Sequence, residues 1–283
     1  MQTFRENYKL KIFIQANCQS HALRAIFQRV KRLNNQYEII DVKPVHLWQE
    51  EDYTEIIEKI KACDIFLHQP IFKQHFGEFA SDNLKRYLNA DAKAISFPNL
   101  YFTGYHPQAF YLKYTSGKKV SEPFDYHDTN IVEFYKQGVN EEEILKKIQD
   151  ESFYSVRKIE ANIAESLKAL RDREKHTDIK VSDYIEKNMI GKKLFHIFNH
   201  PSNEMLFYLF DEVLRYLDED SLSEEEKSLF KIEMLGQVIY PVYLSVQKYF
   251  NINDKMYLLN YANEYNLIKM INMYLMIYKE KKI

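Results

Sequence analysis

The first hundred residues alternate between short apolar runs and longer stretches in which apolar side chains recur at helical spacing. The short runs contain the β-branched and aromatic residues typical of strands, and they lie at 10–16, 37–42, 64–68 and 93–97. Apolar positions spaced by three or four residues, typical of amphipathic helices, lie at 20–33, 56–60 and 78–88. Strands that alternate with helices in this way predict βαβ units around a parallel sheet.

The pattern changes after a loop at 101–123 that is rich in Tyr, Gly, Pro and Lys. Helical spacing dominates residues 130–190, and a further strand is predicted at 193–198. Residues 205–217 and 229–280 are again predicted to be helical. The second half of the chain is therefore expected to be mostly helical.

Together these elements predict an α/β protein with a three-layer αβα core and a mostly parallel, flavodoxin-like sheet. We expect the αβα domain to cover residues 1–217, and residues 218–283 to form a helical extension packed on it. The amino-terminal residues lack the apolar run of a signal peptide, and no stretch approaches the roughly 18 uncharged apolar residues of a membrane-spanning helix. The sequence therefore predicts a cytoplasmic protein without a membrane span.

Composition and charge argue against several classes of partner and site. Lys and Arg number 39 and Asp and Glu 41, a net charge of −2 that gives no overall attraction to nucleic acid. There are only 6 glycines, and neither of the common glycine-rich phosphate-binding motifs occurs. The 2 cysteines are too few for a disulfide framework or a paired-cysteine zinc site. The segment DYHD at 125–128 is weak evidence for a metal, so we expect none.

Polar residues follow four of the predicted strands. They are Asn17-Cys18-Gln19, His68-Gln69, Pro98-Asn99 and Asn199-His200. If the four strands are parallel, their carboxyl ends lie at one edge of the sheet, which is where ligands bind in such proteins. The sequence therefore predicts one shared site, the alternative being that loops are polar by default.

Cys18 is the candidate nucleophile of this site. It lies in the turn from a strand into a helix, where free backbone N–H groups and the helix dipole stabilise negative charge and lower a thiol pKa. The same N–H groups, of Cys18 or Gln19, are candidate donors to an oxyanion. A free cysteine is more often a small buried hydrophobic residue, but polar neighbours such as Ser20 and His21 favour a site. Gln19 and Ser20 are candidate substrate contacts beside it. Cys63 ends a predicted helix and is expected to be structural.

A thiol nucleophile needs a base, and His200 is the first candidate because Pro201 fixes the turn that follows it. His106 is the second candidate, and His21 is expected to point toward a substrate phosphate. Gln69 and Asn99 are candidate oxyanion donors, with ordinary turn positions beside proline as the alternative. Tyr105 belongs to an aromatic loop expected to offer stacking surfaces to a sugar or adenine ring, although most such residues are core.

Four segments together resemble the WcbI family of polysaccharide-biosynthesis acetyltransferases, which is distantly similar to the SGNH hydrolases. The segments are ANCQS at 16–20, HQPI at 68–71, FPNLYFTGYHPQ at 97–108 and LFHIFNHPSN at 194–203. The resemblance covers most of residues 10–217, and the order and spacing of the segments are more specific than any one alone. Two positions depart from the pattern: Ala16 replaces the usual Gly, and Ile197 stands where SGNH enzymes place the Asp that orients the catalytic His.

The resemblance implies transfer of an acetyl group from acetyl-CoA to a sugar hydroxyl of a capsular or surface glycan, or of a nucleotide-sugar precursor. It implies that Cys18 is the nucleophile, that His200 is the base and that Gln69 and Asn99 lie near the oxyanion. Direct attack on the thioester by a sugar hydroxyl that His200 deprotonates is the alternative route at this point. Because CoA carries several phosphates, the basic side chains Arg24, Lys73 and Lys113 are candidate contacts. An esterase or thioesterase with the same Cys-His site, or a non-catalytic glycan-binding protein, remains the alternative at this point.

Overall fold

The computed structural model describes residues 8–283, which form four small sheets and a set of helices around them. The strands are β1 (Leu10–Gln15), β2 (Tyr37–Ile39), β3 (Ile65–His68), β4 (Lys93–Ser96), β5 (Ala109–Phe110), β6 (His127–Asp128), β7 (Phe195–Ile197), β8 (His200–Pro201), β9 (Val238–Ile239), β10 (Tyr257–Asn260) and β11 (Asn263–Asn266). The α-helices are α1 (Gln19–Arg29), α2 (Lys31–Gln36), α3 (Tyr53–Lys61), α4 (Lys73–Phe76), α5 (Ser81–Lys85), α6 (Thr129–Lys136), α7 (Glu141–Ile148), α8 (Val156–Glu174), α9 (Ser182–Asn188), α10 (Asn203–Tyr216), α11 (Glu224–Lys227), α12 (Leu244–Phe250) and α13 (Leu267–Lys281).

The chain divides into two compact units, each built from three segments. Within the described residues, the first unit comprises 8–99, 170–183 and 203–234, and the second comprises 100–169, 184–202 and 235–283. The domain boundary predicted at residue 217 is not a boundary of either unit, because α10 and the segment that follows it both belong to the first unit. The prediction of a separate domain over 1–217 therefore stays a prediction.

The first unit contains the predicted parallel sheet, with strand order β2-β1-β3-β4. All three strand pairs are parallel, and Gln15 lies opposite His68, which in turn lies opposite Ser96. Because neighbouring strands end in register, the residues that follow β1, β3 and β4 emerge at the same edge. The prediction of an α/β core with a parallel sheet is confirmed.

Helices cover both faces of this sheet. Alternate side chains of a strand point to opposite faces, and Phe13 of β1 packs into an apolar cluster with Ile56 and Ile60 of α3. On the α1 side, Phe27 packs edge-on against Phe210 of α10, with ring centroids 4.7 Å apart. The α1 helix ends at Arg29, because Val30 adopts an extended conformation before α2 begins. The arrangement is the predicted three-layer αβα core.

The second unit is built on aromatic side chains and short antiparallel pairings. Its fully buried large residues include Tyr105, Tyr240, Tyr243, Tyr274 and Tyr278. Helix α13 packs against α6 and α7, and β9, β10 and β11 form a three-stranded antiparallel sheet. Residues 229–280 were predicted to be helical, with a kink or break at Pro241. They are helical at α12 and α13, but the prediction was wrong at residues 257–266, which form a hairpin.

The late strand also differs from its prediction. β7 pairs with β8 in an antiparallel two-stranded sheet of its own and is not a member of the parallel sheet. A turn at Phe198 and Asn199 joins the two strands. The expected convergence of four parallel strand ends is therefore reduced to three, all of them in the first unit.

Candidate active site

Three strand ends of the first unit are joined by a network of side-chain amides. The backbone N–H of Asn17, which follows β1, donates to Oε1 of Gln69 at 3.1 Å. The side-chain Nδ2 of Asn17 donates to Oδ1 of Asn99 at 3.0 Å. These two bonds connect the residue before Cys18 to the ends of β3 and β4. The sequence correctly predicted that these three positions come together.

Gln19 closes the network from the first turn of α1. Its side chain is fully buried, its Oε1 accepts from Nε2 of Gln69 at 2.8 Å, and its Nε2 donates to Oδ1 of Asn99 at 3.4 Å. Its backbone N–H donates to Oδ1 of Asn17 at 2.9 Å. Gln19 was predicted to contact substrate, but these bonds make it a buried support for the loop that carries Cys18.

A second layer of hydrogen bonds holds Gln69 in turn. The backbone N–H of Gln69 donates to the carbonyl of Gln15 at 2.9 Å. The Gln15 side chain is fully buried, accepts from Oγ of Ser81 at 2.8 Å and donates to the carbonyl of Phe79 at 2.7 Å. Buried amides that are satisfied in this way form a rigid support. The position of Cys18 is therefore fixed from beneath the sheet edge.

Cys18 itself lies at the N-cap of α1 and is partly exposed. Burial raises the pKa of its thiol, and the backbone N–H groups of Cys18 and Gln19 lower that pKa to a smaller extent. The direction is opposite to the one expected from the helix amino terminus, because desolvation disfavours the thiolate more than the N–H groups favour it. The resting thiol is therefore protonated near neutral pH and needs a base to become a nucleophile.

Two donors at this edge stay available for a substrate oxygen. The N–H of Gln19 and Nε2 of Gln69 are taken by Asn17 and Gln19, so these two predicted oxyanion donors are engaged within the network. Among residues 8–283, no acceptor other than its own thiol binds the N–H of Cys18, and none binds Nδ2 of Asn99. Cys18 N–H and Asn99 Nδ2 are the better candidates for an oxyanion hole.

The other predicted residues of α1 differ in access. Ser20 is 1% exposed and its Oγ has no hydrogen-bond partner among the described residues, so the expected substrate contact is incompatible with its burial. His21 is exposed, and burial, Arg24 and His46 together lower its pKa. Arg24 pairs with Asp41 at 2.8 Å and also donates to the carbonyl of Val42, which leaves it less suited to a phosphate than predicted.

His21 and Arg24 line a cleft of about 450 Å³ beside α1 and α3. Trp48, Lys43 and Lys59 also line it. Lys43 pairs with Asp52 at 3.0 Å, and Lys59 pairs with Glu55. Because each of these cations already has an acidic partner in the cleft, the cleft offers little net attraction to an anion.

A smaller cleft of about 280 Å³ opens at the amide network itself. Its lining residues are Pro70, Phe72, Pro98, Asn99, Asp172, Arg173, His176 and Thr177. Asn99 thus belongs to both the network and the cleft. The segment 172–177 at the end of α8 was not predicted to be part of the site. RDRE at 171–174 was noted only as a further segment similar to the family pattern, and it is distant in sequence from the strand ends.

Lys73 and His68 also lie at this edge, one exposed and the other buried. Lys73 directly follows Phe72, is exposed, and has no acidic partner within 4.0 Å among the described residues. His68, at the end of β3, is 2% exposed and stacks on Phe66 with ring centroids 4.7 Å apart. Burial lowers the pKa of His68 to about 4, so this imidazole is neutral at neutral pH. Lys73 keeps its predicted availability for a phosphate.

His200 lies in β8 of the second unit and is 6% exposed. Its Nε2 lies 3.3 Å from the hydroxyl of Tyr126, which also donates to Oδ1 of Asn199 at 3.0 Å. Burial and His196 lower the pKa of His200 to about 4, against a smaller opposing effect of the Leu235 backbone. The imidazole is therefore neutral, and Tyr126 contacts it where the sequence lacks the orienting Asp of the SGNH pattern.

The remaining predicted residues of the second unit are mostly structural in their surroundings. His106 is fully buried, its Nε2 lies 3.1 Å from the carbonyl of Tyr240, and burial lowers its pKa well below the usual range. Tyr105 is also fully buried, and its hydroxyl donates to the carbonyls of Met189 and Lys192. Such burial argues against His106 as a base and against Tyr105 as a stacking surface. Lys113 is exposed.

Among residues 8–283, no three His, Cys, Asp or Glu side chains lie close enough together to hold a metal ion. In the same part of the chain, no helix is both long and apolar enough to cross a membrane.

Comparison with known proteins adds one family and one solved structure. The sequence model of the family described as polysaccharide biosynthesis enzyme WcbI matches residues 11–221. No curated protein matches the chain. A solved structure of WcbI, described as a novel polysaccharide biosynthesis enzyme, is similar with a TM-score of 0.79 and 21% identity, over 97% of this chain and 91% of that one. That structure is described as the native protein without a disulfide bond between CoA and a cysteine.

Proposed function

Because this chain belongs to the WcbI family of polysaccharide biosynthesis enzymes, we propose that it transfers an acetyl group from acetyl-CoA to a sugar hydroxyl. Cys18 is the nucleophile of this reaction. The acceptor is a glycan of a capsular or surface polysaccharide, or its nucleotide-sugar precursor. The reaction belongs to the cytoplasm, where acetyl-CoA and nucleotide sugars are both available.

One observation carries the proposal: the amide network fixes Cys18 at the carboxyl edge of the parallel sheet, where two donors have no protein acceptor among residues 8–283 apart from the Cys18 thiol itself. Hydrogen bonds from Asn17 to Gln69 and Asn99 hold the turn in which Cys18 lies. The Cys18 N–H and Asn99 Nδ2 are then available to a thioester oxygen as it becomes negative. Donors fixed in advance stabilise the tetrahedral state without the cost of reorganising.

The proposed transfer has two steps, acylation of Cys18 and transfer of the acetyl group to the sugar. The Cys18 thiol loses its proton to a base, and Sγ attacks the carbonyl carbon of acetyl-CoA. The bond from that carbon to the CoA sulfur breaks, and CoA leaves as a thiol with the proton returned by the base. A sugar hydroxyl then gives its proton to the base and attacks the acetyl group, so that the sugar ester forms and the Cys18 thiol is restored.

His200 is the proposed base, a role taken from the family resemblance. Its pKa is lowered to about 4, so at neutral pH it has a free lone pair to accept a proton. Because burial raises the pKa of Cys18, the protonated thiol and the neutral imidazole are both the dominant forms across the neutral range. We therefore expect the rate of acetyl-enzyme formation to change little with pH in that range and to fall as pH approaches 4.

CoA is expected to bind through its phosphates to exposed cations. Lys73 is the strongest candidate because it lies at the sheet edge and has no acidic partner among the described residues. Lys113 is exposed and keeps its predicted role, whereas Arg24 is already paired with Asp41. A charge change at Lys73 should therefore affect the KM for acetyl-CoA more than a charge change at Arg24.

The test is the intact mass of the protein after it is mixed with acetyl-CoA. We expect one acetyl adduct, absent in Cys18→Ala and retained in Cys63→Ala. Cys63 is a matched control because it is the only other cysteine, is 1% exposed, and has a pKa raised to about 12 by burial. Normal turnover by Cys18→Ala would exclude Cys18 as the nucleophile. Release of acetate at the same rate with and without a glycan acceptor would instead indicate a hydrolase.

A further inference from the structure

The 280 Å³ cleft at the sheet edge is next to the proposed reaction centre. Asn99 lines it, and the same residue accepts a hydrogen bond from Asn17, the residue before Cys18. The cleft opens at the carboxyl ends of β3 and β4, through Pro70 and Pro98. In open α/β sheets this edge is the usual place for a substrate.

The wall nearest β3 and β4 is apolar. Pro70, Phe72 and Pro98 form it, and Phe72 is 47% exposed. The Phe72 ring packs edge-on against His176, with ring centroids 5.9 Å apart, and both residues line the cleft. On the α8 side the acid Asp172 is already paired with Lys175 at 2.6 Å, and the cation Arg173 on the same side is also engaged. The wall of Pro70, Phe72 and Pro98 suits an uncharged, apolar group.

The size of the cleft exceeds what an acetyl group needs. One water molecule occupies about 30 Å³ of liquid, and a methyl group is of similar size. The volume of 280 Å³ is therefore several times that of the acetyl methyl. If the thioester carbon bonds to Cys18 and its oxygen binds Asn99, two substituents of that carbon remain, the alkyl group and the CoA sulfur. Both start beside Asn99, which lines the cleft.

We propose that the cleft between Phe72, Pro98 and His176 binds the alkyl tail of the acyl thioester, so that the enzyme accepts acyl groups longer than acetyl. The proposal rests on the proposed acyl transfer and adds the class of donor. Burying one methylene contributes about 0.8 kcal/mol, which is about a fourfold gain in rate for each methylene that enters the cleft. The gain ends when the tail reaches the open end of the cleft.

The test measures the rate of Cys18 acylation by intact mass with three thioesters: acetyl-CoA, butyryl-CoA and hexanoyl-CoA. This assay needs no glycan acceptor. We expect the wild type to react with hexanoyl-CoA at least tenfold faster than with acetyl-CoA. Phe72→Ala should lower the hexanoyl rate about tenfold and leave the acetyl rate within twofold, and Phe72→Leu, which keeps an apolar wall, should restore most of the loss.

Leu47→Ala is the matched control, because Leu47 is 49% exposed, belongs to the same unit and does not line the cleft. It should change neither rate. Equal loss with all three thioesters in Phe72→Ala would overturn the proposal and indicate that the cleft binds the part of CoA common to them. Equal rates in the wild type would overturn it while leaving acyl transfer intact. No adduct with any thioester would overturn both proposals.

Discussion

The two units use buried polar side chains in different ways. In the first unit, Asn17, Gln69 and Asn99 bind one another at the sheet edge and still leave Asn99 Nδ2 without an acceptor among the described residues. In the second unit, Asp128 is fully buried, and its carboxylate accepts from the Tyr243 hydroxyl at 2.7 Å as well as from two backbone N–H groups at the start of α6. The first arrangement can still bind a ligand atom, whereas the second uses its bonds internally.

The buried aromatic residues of the second unit also use their polar groups for hydrogen bonds inside the core. The Tyr274 hydroxyl donates to the carbonyl of Tyr126 at 2.6 Å and lies 3.1 Å from the Tyr240 hydroxyl. The His127 ring lies between the Tyr278 hydroxyl and the Val120 carbonyl, 3.1 Å from each. Tyrosine supplies a large apolar ring and a hydroxyl that can find a partner inside the core. The difference predicts that changes at the sheet edge affect activity, and changes in the aromatic core affect stability.

The largest effect is expected at Asn99. Asn99→Ala removes the donor proposed for the oxyanion and should lower the rate of acetyl transfer by about 10²–10³-fold, the usual loss for one such donor. The melting temperature should fall slightly, because Nδ2 of Asn17 and Nε2 of Gln19 lose their acceptor. Asn99→Asp keeps an acceptor for Asn17 but has no N–H to donate, so it should be equally slow. Full activity in Asn99→Asp would show that Asn99 only positions Asn17.

The next effect is expected in the core of the second unit. Asp128→Ala removes the N-cap of α6 and leaves the Tyr243 hydroxyl unpaired, so it should lower the free energy of unfolding by about 2–3 kcal/mol. Asp125→Ala is the control, since that side chain is 53% exposed and pairs only with Lys119 at the surface. Urea denaturation measures both variants. A similar small loss in the two would contradict the structural role of Asp128.

A third test uses the pH dependence of stability, because burial lowers the pKa of three histidines and raises the pKa of Asp128. Burial lowers the pKa of His68, His127 and His200 to about 4, so the stability they contribute is present above pH 6.5 and is lost as pH falls through 4. Burial raises the pKa of Asp128 to about 6, so its contribution is present below 3.8 and is lost as pH rises through 6.

Acidification from pH 6.5 to 4 should therefore destabilise the wild type, because the contributions of these three imidazoles exceed that of Asp128. Asp128→Asn removes the opposing contribution of this carboxyl, so its unfolding free energy should fall more steeply over the same range, by about 1–2 kcal/mol. Urea denaturation at four or five pH values measures the slopes. Parallel slopes for the two proteins would be inconsistent with a raised pKa at Asp128.

The smallest effect is expected from a single hydroxyl. Tyr274→Phe leaves the Tyr126 carbonyl and the Tyr240 hydroxyl without this partner and should cost about 1 kcal/mol of stability, with acetyl transfer unchanged. Tyr87→Phe is the control, because Tyr87 is 37% exposed and its hydroxyl makes only a long contact of 3.4 Å with Tyr53. A loss of activity in Tyr274→Phe without loss of stability would break the contrast between the units.

The parallel sheet could be predicted because each strand is an apolar run with a clear end. β1, β3 and β4 end at Gln15, His68 and Ser96. Two residues after these ends stand Asn17, Pro70 and Pro98, which stop the apolar pattern. The hairpin at 257–266 could not be predicted, because strands of four residues are too short to show a period. The tyrosines and leucines in this segment also suit a helix. A local pattern also does not say which strand a segment will pair with, so β7 was placed in the wrong sheet.

For the candidate site, the sequence could predict which positions come together but not how deeply each side chain is buried. Strand ends located Asn17, Gln69 and Asn99, because the order of a parallel sheet brings them together. The raised pKa of Cys18 was not predictable, since desolvation depends on how deeply the loop is buried and the polar flanks suggested exposure. The loop position of Tyr105 and His106 likewise suggested access, whereas the packing of the aromatic core buries both.

The division of the first unit into three segments has a consequence for the order in which the protein is synthesised. The parallel sheet is complete once β4 has left the ribosome, but Phe210, which covers Phe27, and Glu219 and Glu226, which pair with Arg32, are translated much later. Until residue 234 has been made, the α1 side of the sheet lacks this cover. Nascent chains of this protein therefore expose an apolar surface while residues 97–234 are translated, and this is the period in which a chaperone would be needed.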